Sequence, residues 1–428
     1  MLSLDELSKR VTENRFAKMF MALYGSNPAV IALQKNRYNR LIAKFKDVFP
    51  DQSKAVLFST PGRTEIGGNH TDHNNGRVLA AAVDLDAIAV AAPVADPMIT
   101  IDSEGFEPFS VSIDDVKINS DEKYTSAALV RGICVRLKQL GYKIGGFKAC
   151  SASNVPQGSG LSSSAAFEVL IVSIINHLYN NNTIDPVTAA QVSQWAENHY
   201  FGKPCGLMDQ TTCSVGGFVM IDFKDKEKPV VKKVTYDFVH SGYKLVIVNT
   251  GGSHANLNDD YAAITAEMRA VAVFFKKQVL REVSIAAFKD NLAALRKKTG
   301  DRALLRAFHF FADDERVVKL SDALQHKKIE TFFELIKESG RSSYMFLQNC
   351  YSNSSVHQQG IALALCVTEQ VLKKDGAWRV HGGGFAGTIQ VFVPQKSVKA
   401  YIKSMERVFG KGACVELMIR PLGAVVIR

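Results

Sequence analysis

The sequence lacks the features that mark membrane proteins, secreted proteins and metal-cluster proteins. None of its apolar runs reaches the roughly 20 residues that a membrane-spanning helix needs. The N-terminal stretch mixes charged with apolar side chains and has no apolar signal-peptide region, which predicts a cytoplasmic protein. The seven cysteines are scattered, odd in number and free of C-x-x-C pairs, so neither a disulfide framework nor a zinc cluster is expected.

Internal repeats, low-complexity tracts and proline- or serine-rich linkers are also missing. The 428 residues are 46% apolar and 22% charged, which allows a large core and two or three domains. The net charge is +10 and the basic residues are spread along the chain, which we interpret as a solvated surface that favours anionic substrates such as nucleotides. A nucleic-acid surface is the alternative, and salt-dependent retention on DNA would test it.

The apolar periodicity predicts an alternation of helices and strands. Residues 1–50 have apolar positions at helical spacing, and residues 259–345 are mainly helical and charged. Between and after these stretches, short alternating runs predict strands, so the class is mixed α/β or α+β. A domain boundary is expected between residues 210 and 245.

The stretch GRTEIGGNHTDHNNG at 62–76 is polar, although apolar segments flank it. It contains Arg63, His70 and Asp72 among four glycines and three asparagines. Such polarity would destabilise a core unless every group found a partner. We therefore predict a loop that reads the polar groups of a ligand.

A second stretch, NVPQGSGLSSSAAFEVL at 154–170, joins glycines and serines to the start of a predicted helix. Gly158 and Gly160 permit backbone conformations that larger residues rarely adopt. Unpaired N–H groups and the helix dipole make a helix start a natural phosphate site. The lysine of the common P-loop is missing, so a different phosphate loop is indicated.

Two further stretches carry candidate chemistry. AENHYFGKPCGLMDQ at 196–210 holds Glu197 and Asp209, and paired carboxylates can divide between binding Mg²⁺ and accepting a proton. Either acid alone would more often be a solvated surface group. RVHGGGFAGTIQVFV at 379–393 has four glycines before a strand, which indicates a tight turn or a close backbone approach, and does not fit a dinucleotide fingerprint.

Taken together, these stretches resemble the signature motifs of the GHMP kinase superfamily, and within it the galactokinase family. The order matches: the sugar motif, then P-x-x-x-G-L-S-S-S-A from Pro156, then the glycine-rich motif. Between the last two lies A-E-x-x-x-x-G-x-x-C-G-x-M-D-Q from Ala196, which points to galactokinases. The resemblance covers the chain from about residue 38 to the C-terminus, whereas 1–37 and much of 270–345 carry no motif of the family.

The resemblance implies an α+β fold of two kinase domains, with mixed sheets, packed helices and the active site in the cleft between them. Residues 1–220 would form the N-terminal domain and 221–428 the C-terminal domain. Such enzymes transfer the γ-phosphoryl group of ATP to the anomeric hydroxyl of α-D-galactose, with Mg²⁺ as cofactor. The expected partners are ATP and galactose or a close derivative, without nucleic acid or membrane, and a monomer is expected.

The resemblance also assigns roles to single residues. Asp209 matches the catalytic aspartate, and Arg63 matches the arginine that pairs with it and would offset developing negative charge. Ser164 and Glu197 match the magnesium-site residues. Sugar contacts are implied for Asn69, His70, Asp72, the Gly206 backbone and Tyr261. ATP contacts are implied for Gly158, Ser159, Gly160, Leu161, Ser162, Ser163 and Ser164.

Three of the departures from the family pattern in the sugar motif matter for the substrate. The family usually reads G-R-x-N-L-I-G-E-H-T-D-Y, whereas Glu65 stands here for asparagine, Asn69 for glutamate and His73 for tyrosine. Losing a carboxylate at position 69 leaves the C6 and C2 specificity open. Galactose is the expected substrate, with galacturonic acid and N-acetylgalactosamine as alternatives.

Two other functions fit parts of the sequence. One is a non-catalytic, galactokinase-like sugar sensor, against which the intact Asp209, Arg63 and serine triplet speak. The other is a different GHMP enzyme, such as a mevalonate or homoserine kinase, which the C-G-x-M-D-Q and H-T-D segments disfavour. Release of ADP in the presence of sugar discriminates an enzyme from a sensor.

Overall fold

The structure, a computed structural model, describes residues 1–115, 117–156, 158, 160–252 and 257–428. Ser159, one of the predicted ATP contacts, lies outside the described residues. The strands are β1 (Leu2–Ser3), β2 (Lys54–Gly67), β3 (Arg77–Pro93), β4 (Met98–Ser103), β5 (Phe109–Ser112), β6 (Phe147–Ser153), β7 (Phe218–Asp222), β8 (Val230–Val234), β9 (Tyr243–Asn249), β10 (Ala377–His381), β11 (Thr388–Pro394), β12 (Cys414–Leu417) and β13 (Val425–Ile427). The α-helices are α1 (Leu4–Thr12), α2 (Ala17–Tyr24), α3 (Pro28–Val48), α4 (Ser126–Gln139), α5 (Ser163–Tyr179), α6 (Pro186–Ala196), α7 (Met208–Val215), α8 (Asn258–Phe274), α9 (Ile285–Asp290), α10 (Leu292–Thr299), α11 (Asp301–Gln325), α12 (Ile329–Ser342), α13 (Gly360–Leu372) and α14 (Val398–Phe409).

The chain divides into two compact units. Unit 1 comprises Met1–Arg63, Ala82–Gly217 and Arg420–Arg428, and unit 2 comprises Thr64–Ala81 and Phe218–Ile419. The assignment of 1–220 and 221–428 to two kinase domains remains a prediction. The chain passes from unit 1 to unit 2 after Gly217, close to that boundary. Segment 64–81 belongs to unit 2, although the sequence-based division places it in the N-terminal domain. Segment 420–428 belongs to unit 1, although that division places it in the C-terminal domain.

Unit 1 is built on a sheet with the strand order β1-β2-β3-β6-β4-β5, and β13 also pairs with β2. The pair β3–β6 is antiparallel, and the pair β4–β6 is parallel. Helices α1–α3 pack on one face through an apolar cluster that includes Phe20, Phe45, Leu57 and Val90. Helices α4–α7 pack among themselves, so the sheet carries a separate helical layer that holds the serine-rich motif.

A buried charge network ties α3 and the C-terminal segment to β3. Asp86 is fully buried and accepts hydrogen bonds from Arg37 (2.5 Å), Arg420 (3.2 Å) and Tyr24 (2.6 Å). Burial acts to raise the pKa of the Asp86 carboxyl, but the two guanidinium groups outweigh it and hold the pKa below its usual range. The network explains how residues 1–37, which carry no family motif, form part of the core.

Unit 2 contains an antiparallel sheet with the order β10-β11-β9-β12. The first residues of β3 pair with β7, which also pairs with β8. Helices α13 and α14 cover one cluster of the sheet core, which includes Val246, Val391 and Tyr401. A second cluster joins α8, α10 and α11 through residues such as Met268, Leu295 and Phe310.

The predicted elements are largely present. The hairpin at 98–112 and the helices at 126–139, 163–179 and 186–196 are confirmed, and Asp185 caps α6 through Val187 N (2.9 Å) and Thr188 N (3.1 Å). One boundary differs, because β2 continues to Gly67 and therefore includes the first residues of the expected loop. Among the described residues, no helix combines the length and apolarity needed to cross a membrane.

Candidate functional site

Arg63 and Asp209 form an ion pair in unit 1, although they are far apart in sequence. Arg63 Nε lies 2.7 Å and its Nη2 lies 2.6 Å from Asp209 Oδ1. Arg63 also donates to the carbonyl of Gly160, and its backbone N–H donates to Leu161 O at 3.0 Å. Strand β2 thus delivers its arginine to both the carboxylate and the glycine-serine loop.

Asp209 has a second partner in the serine triplet. Ser162 Oγ donates to Asp209 Oδ2 at 2.5 Å. Ser162 has a left-handed backbone (φ +61°), a conformation that is uncommon for residues other than glycine and often marks functional sites. The Asp209 side chain remains 32% exposed, so its oxygens can still accept a hydrogen bond from a ligand.

Helix α5 begins at Ser163, directly after this contact. The Ser162 side chain does not cap the helix, so the N–H groups of the first turn are not satisfied by it. Ser163 and Ser164 line a cavity of about 490 Å³ within unit 1. The other residues lining it are Ala87, Ser103, Glu104, Phe106, Tyr124, Ser126, Leu129, Ser151, Ala152, Ser153, Val155, Phe167 and Phe201.

Glu197 lies at the start of a short π-helix, Glu197–Phe201, and its side chain is 2% exposed. Widened turns of this kind often occur at functional sites. Gln210, the neighbour of Asp209, donates from Nε2 to Glu197 Oε2 (2.9 Å) and to Glu168 Oε2 (3.1 Å). One amide therefore holds two buried glutamates.

Glu168 is the third acid of this region, and sequence reasoning missed it. It projects from α5, is fully buried, and its Oε1 has no hydrogen-bond partner among the described residues. Burial, reinforced by the carboxylate of Glu197, raises the pKa of Glu168 well above its usual range. Both causes favour the uncharged form of this carboxyl.

The remaining predicted residue of unit 1, Gly206, lies in the exposed loop that precedes α7. Its neighbour Cys205 is fixed to the helical layer by Asn198 Oδ1, which accepts from Cys205 N at 2.7 Å. The loop is therefore held at its base while the Gly206 backbone stays exposed.

In unit 2 the sugar motif forms a tight turn. Gly68 has φ +88°, and a Cβ there would lie 2.4 Å from Arg77 O, so only glycine fits. His70 also has a left-handed backbone, with φ +58°. The buried Asp313 of α11 accepts from the backbone N–H groups of Gly68 (3.2 Å) and Asn69 (3.0 Å). Helix α11, which carries no motif of the family, thus holds the turn in place through the Asp313 carboxylate.

Three residues predicted to contact the sugar bind to backbone carbonyls of the glycine-rich motif. Asn69 Nδ2 donates to Gly382 O at 2.8 Å, His70 Nε2 bonds Gly383 O at 2.9 Å, and Tyr261 Oη donates to Gly384 O at 2.8 Å. A Cβ on Gly383 would lie 2.6 Å from the Tyr261 ring, and one on Gly384 would lie 2.1 Å from Asn349 O. The glycines permit this close approach.

Two groups of the turn keep hydrogen-bonding capacity for a ligand. Burial lowers the pKa of His70 to about 4, and His73 acts in the same direction, so His70 is neutral near pH 7. Because a carbonyl can only accept, Nε2 carries the ring proton and Nδ1 is an acceptor. Asp72 accepts from His73 N (2.9 Å) through Oδ1, and its side chain is 22% exposed.

Two comparisons use sequence-family models. A model described as the GHMP kinases N terminal domain matches residues 128–217, and the galactokinase galactose-binding signature matches residues 43–93. The first range contains Glu197 and Asp209, and the second contains Arg63, His70 and Asp72.

Solved structures provide the third comparison. Galactokinase from Lactococcus lactis, crystallised with galactose, is 25% identical with a TM-score of 0.74, over 90% of this chain and 98% of that one. Mevalonate kinase from Methanococcus jannaschii is 14% identical with a TM-score of 0.59, over 86% and 98%. A D-glycero-D-manno-heptose 1-phosphate kinase from Bacteroides thetaiotaomicron is 15% identical with a TM-score of 0.56, over 87% and 98%. The last two likenesses show the fold alone.

The arrangement around Asp209, the two family signatures and the match to a galactokinase agree with one another. They favour a galactokinase over the other GHMP enzymes and over a sensor. The chain carries the GHMP kinases N terminal domain and the galactokinase galactose-binding signature, and together with the structural match these indicate an ATP-dependent sugar kinase.

Proposed function

We propose that the chain transfers the γ-phosphoryl group of ATP to the anomeric hydroxyl of α-D-galactose and forms galactose 1-phosphate. The observation that carries the proposal is the contact of Asp209 with Arg63 on one oxygen and with Ser162 on the other. Phosphoryl transfer depends mainly on positioning and on neutralising charge, and this arrangement supplies both.

Asp209 would orient the anomeric hydroxyl and accept its proton. Its two oxygens are fixed by Arg63 and Ser162, and the exposed part of the carboxylate leaves room for the sugar hydroxyl. Arg63 would offset negative charge as the sugar oxygen attacks the phosphorus. Its side chain is only 11% exposed, so water screens this effect little.

The start of α5 would bind the phosphates of ATP. Its first N–H groups, which the Ser162 side chain does not cap, favour an anion there, as do the hydroxyls of Ser163 and Ser164 and the left-handed backbone of Gly158 and Gly160. The adjoining cavity has aromatic walls at Phe106, Tyr124 and Phe167 and polar groups at several serines. That combination suits a planar nucleotide base.

Glu197 and Ser164 would hold Mg²⁺ together with the phosphates. Kinases bind this ion through one or two carboxylates, phosphate oxygens and water. The absence of a cluster of three or more ligating His, Cys, Asp or Glu side chains in the described part of the chain is compatible with such a site. A bound Mg²⁺ would neutralise charge on the transferred phosphoryl group. The amide of Gln210 would orient the Glu197 carboxylate toward this task.

His70 and Asp72 would bind sugar hydroxyls, with Tyr261 and the Gly206 backbone as further contacts. Neutral His70 offers an acceptor at Nδ1, and Asp72 offers carboxylate oxygens. A buried hydroxyl that lacks its partner loses about 1–3 kcal/mol, so a sugar without the matching hydroxyls would bind weakly.

A coupled assay of ADP release with a panel of sugars tests the proposal. We expect turnover with ATP, Mg²⁺ and galactose, and lower kcat/KM with galacturonate and N-acetylgalactosamine. Asp209→Asn should abolish turnover and retain galactose binding in calorimetry. Galactose binding by the unaltered protein without ADP release would instead identify a sensor, and no response to galactose would overturn the assignment.

Location and assembly stay predictions. All seven cysteines are free thiols, which supports the predicted cytoplasmic location. A monomer without nucleic-acid or membrane partners is proposed from the family resemblance alone.

A further inference from the structure

Glu65 and Asn69, two of the positions at which the sugar motif departs from its family, contact each other. Asn69 Nδ2 donates to Glu65 Oε1 at 2.9 Å, and both residues belong to unit 2. Glu65 is 8% exposed, and Asn69 is 1% exposed. The two departures are therefore parts of one buried contact.

The Asn69 amide is engaged within the protein at both ends. Its nitrogen gives one hydrogen to Glu65 and the other to Gly382 O at 2.8 Å. Its oxygen accepts from Asn349 Nδ2 at 2.7 Å. An amide has two hydrogens to donate, so Asn69 has none left for a sugar.

The carboxylate of Glu65 is neutralised by a buried cation. Arg379 Nη2 lies 3.0 Å from Glu65 Oε1, and Arg379 is fully buried. The same arginine donates from Nη1 to the carbonyl of Ile66 at 2.9 Å. The negative charge of this part of the motif therefore lies on Glu65, where the guanidinium of Arg379 compensates it.

These contacts link the sugar turn to the glycine-rich turn. Asn69 bonds Gly382 while the next residue, His70, bonds Gly383. Asn349 joins the same group, because its Nδ2 also donates to Gly383 O at 3.1 Å. Any shift of the Asn69 amide would be transmitted to His70 through one peptide bond and through the glycine turn.

We propose that Glu65 and Asn69 are a coupled pair of positioning residues that fix His70 for sugar binding, and that Asn69 itself does not contact the sugar. The pair exchanges the carboxylate and the amide that the family motif usually carries at these two positions, so the chain keeps one charge and one amide. The proposal rests on the function proposed above and replaces the sugar contact expected for Asn69.

A cycle of shape-preserving substitutions tests the coupling. Asn69→Asp replaces a donor by an acceptor that faces Glu65 Oε1 and Gly382 O. Glu65→Gln removes the charge that pairs with Arg379. In the double variant one carboxylate and one amide are restored, and the amide at 65 can donate to the carboxylate at 69. Asn353→Asp, an exposed position of the same unit, is the matched control.

We expect Asn69→Asp to raise the KM for galactose at least about fivefold, the effect of one lost hydrogen bond, with the KM for ATP unchanged. Adding Glu65→Gln should recover part of this loss and raise the thermal midpoint above that of Asn69→Asp alone. A purely structural role would lower the thermal midpoint without a selective change in the galactose KM, and would overturn the proposal.

Two more outcomes contradict it. If the two substitutions act additively on thermal midpoint and KM, the residues are not coupled. If Asn69→Asp behaves like Asn353→Asp, the amide hydrogens are not needed. The thermal cycle does not depend on catalysis, so a protein that fails to phosphorylate galactose would refute the proposed function while the coupling is still measured.

Discussion

Arg63 and Asp209 are 2.6 Å apart at their charged groups, although 146 residues separate them in the sequence. Arg63 reaches Asp209 Oδ1 with two of its nitrogens, Nε and Nη2. This side-on geometry requires a planar guanidinium, and a lysine ammonium cannot reproduce it. The arginine also donates to Gly160 O, so one side chain positions the carboxylate against the glycine-serine loop.

We therefore expect Arg63→Lys to impair catalysis although it preserves the charge. The kcat for galactose should fall on the order of 100-fold, as for the loss of one oriented donor to a transition state. Arg40→Lys is the matched control, because Arg40 lies in the same unit and its side chain is 69% exposed. Steady-state kinetics on both variants checks the prediction, and equal activities would show that charge alone suffices.

The two glutamates bound by Gln210 should respond differently to the same substitution. Burial and the carboxylate of Glu197 raise the pKa of Glu168 and favour its uncharged form, so Glu168→Gln, which keeps the shape of an uncharged carboxyl, should change kcat less than about threefold. Glu197→Gln removes a proposed Mg²⁺ ligand and should lower kcat on the order of 100-fold. Kinetics over a range of Mg²⁺ concentrations separates them. Loss of activity in Glu168→Gln would mean that this carboxyl acts in its charged form.

His70 should make the folded protein less stable in mild acid. Its pKa is about 4 in the folded state, whereas the unfolded chain takes up the proton near pH 6.5, so unfolding is favoured as pH falls below 6.5. The free energy of unfolding that depends on His70 falls by up to about 1.4 kcal/mol per pH unit below pH 6.5, and the loss levels off near pH 4. The pKa of His309 is lowered by burial as well, so the difference between wild type and His70→Gln isolates the His70 part.

The measurement is a series of urea denaturation curves between pH 4.5 and 8 for wild type, His70→Gln and His326→Gln. His326 is the control because it lies in the same unit and its side chain is 61% exposed. A wild-type curve parallel to that of His70→Gln would refute a depressed pKa. In kinetics, we expect the plot of log kcat/KM for galactose against pH to have the same shape near pH 6.5 in wild type and in His70→Gln.

The network around Asp86 should dominate the stability of unit 1. Asp86→Ala leaves the fully buried Arg420 and the largely enclosed Arg37 without their carboxylate, and removing one partner from such a network costs about 3–5 kcal/mol. Asp5→Ala, which breaks the exposed pair with Lys46, should cost no more than about 1 kcal/mol. Denaturant midpoints measure both, and similar losses in the two variants would contradict the prediction.

The sequence predicted the local structure of unit 1 well, because the signals were local. Asp185 and Pro186 marked the start of α6, and the glycines and serines at 158–164 marked the turn before α5. The pairing of Arg63 with Asp209 followed from the family resemblance, since nothing in the local pattern joins two residues so far apart. Strand β8 was missed because its residues are mostly charged or exposed.

The supporting residues could not be predicted in the same way. Asp313, Asn349 and Arg379 show no pattern of their own, and their partners lie on distant segments. Their roles depend on the burial of their side chains, and the sequence does not show whether a polar side chain on a helix or strand is buried. Glu168 illustrates this, because the sequence predicts only a long and mostly apolar helix there, whereas the structure encloses its carboxyl completely.

The three successive carbonyls of Gly382, Gly383 and Gly384 restrain Asn69, His70 and Tyr261 before any ligand arrives. Immobilising a flexible side chain on association costs about 0.5–1.5 kcal/mol, so prior restraint lowers the entropic penalty of capturing a small, weakly hydrophobic molecule. The same arrangement makes these side chains interdependent. A displacement of this backbone hairpin by a fraction of an ångström would re-aim all three together, so a new sugar preference could arise from residues that never touch the sugar.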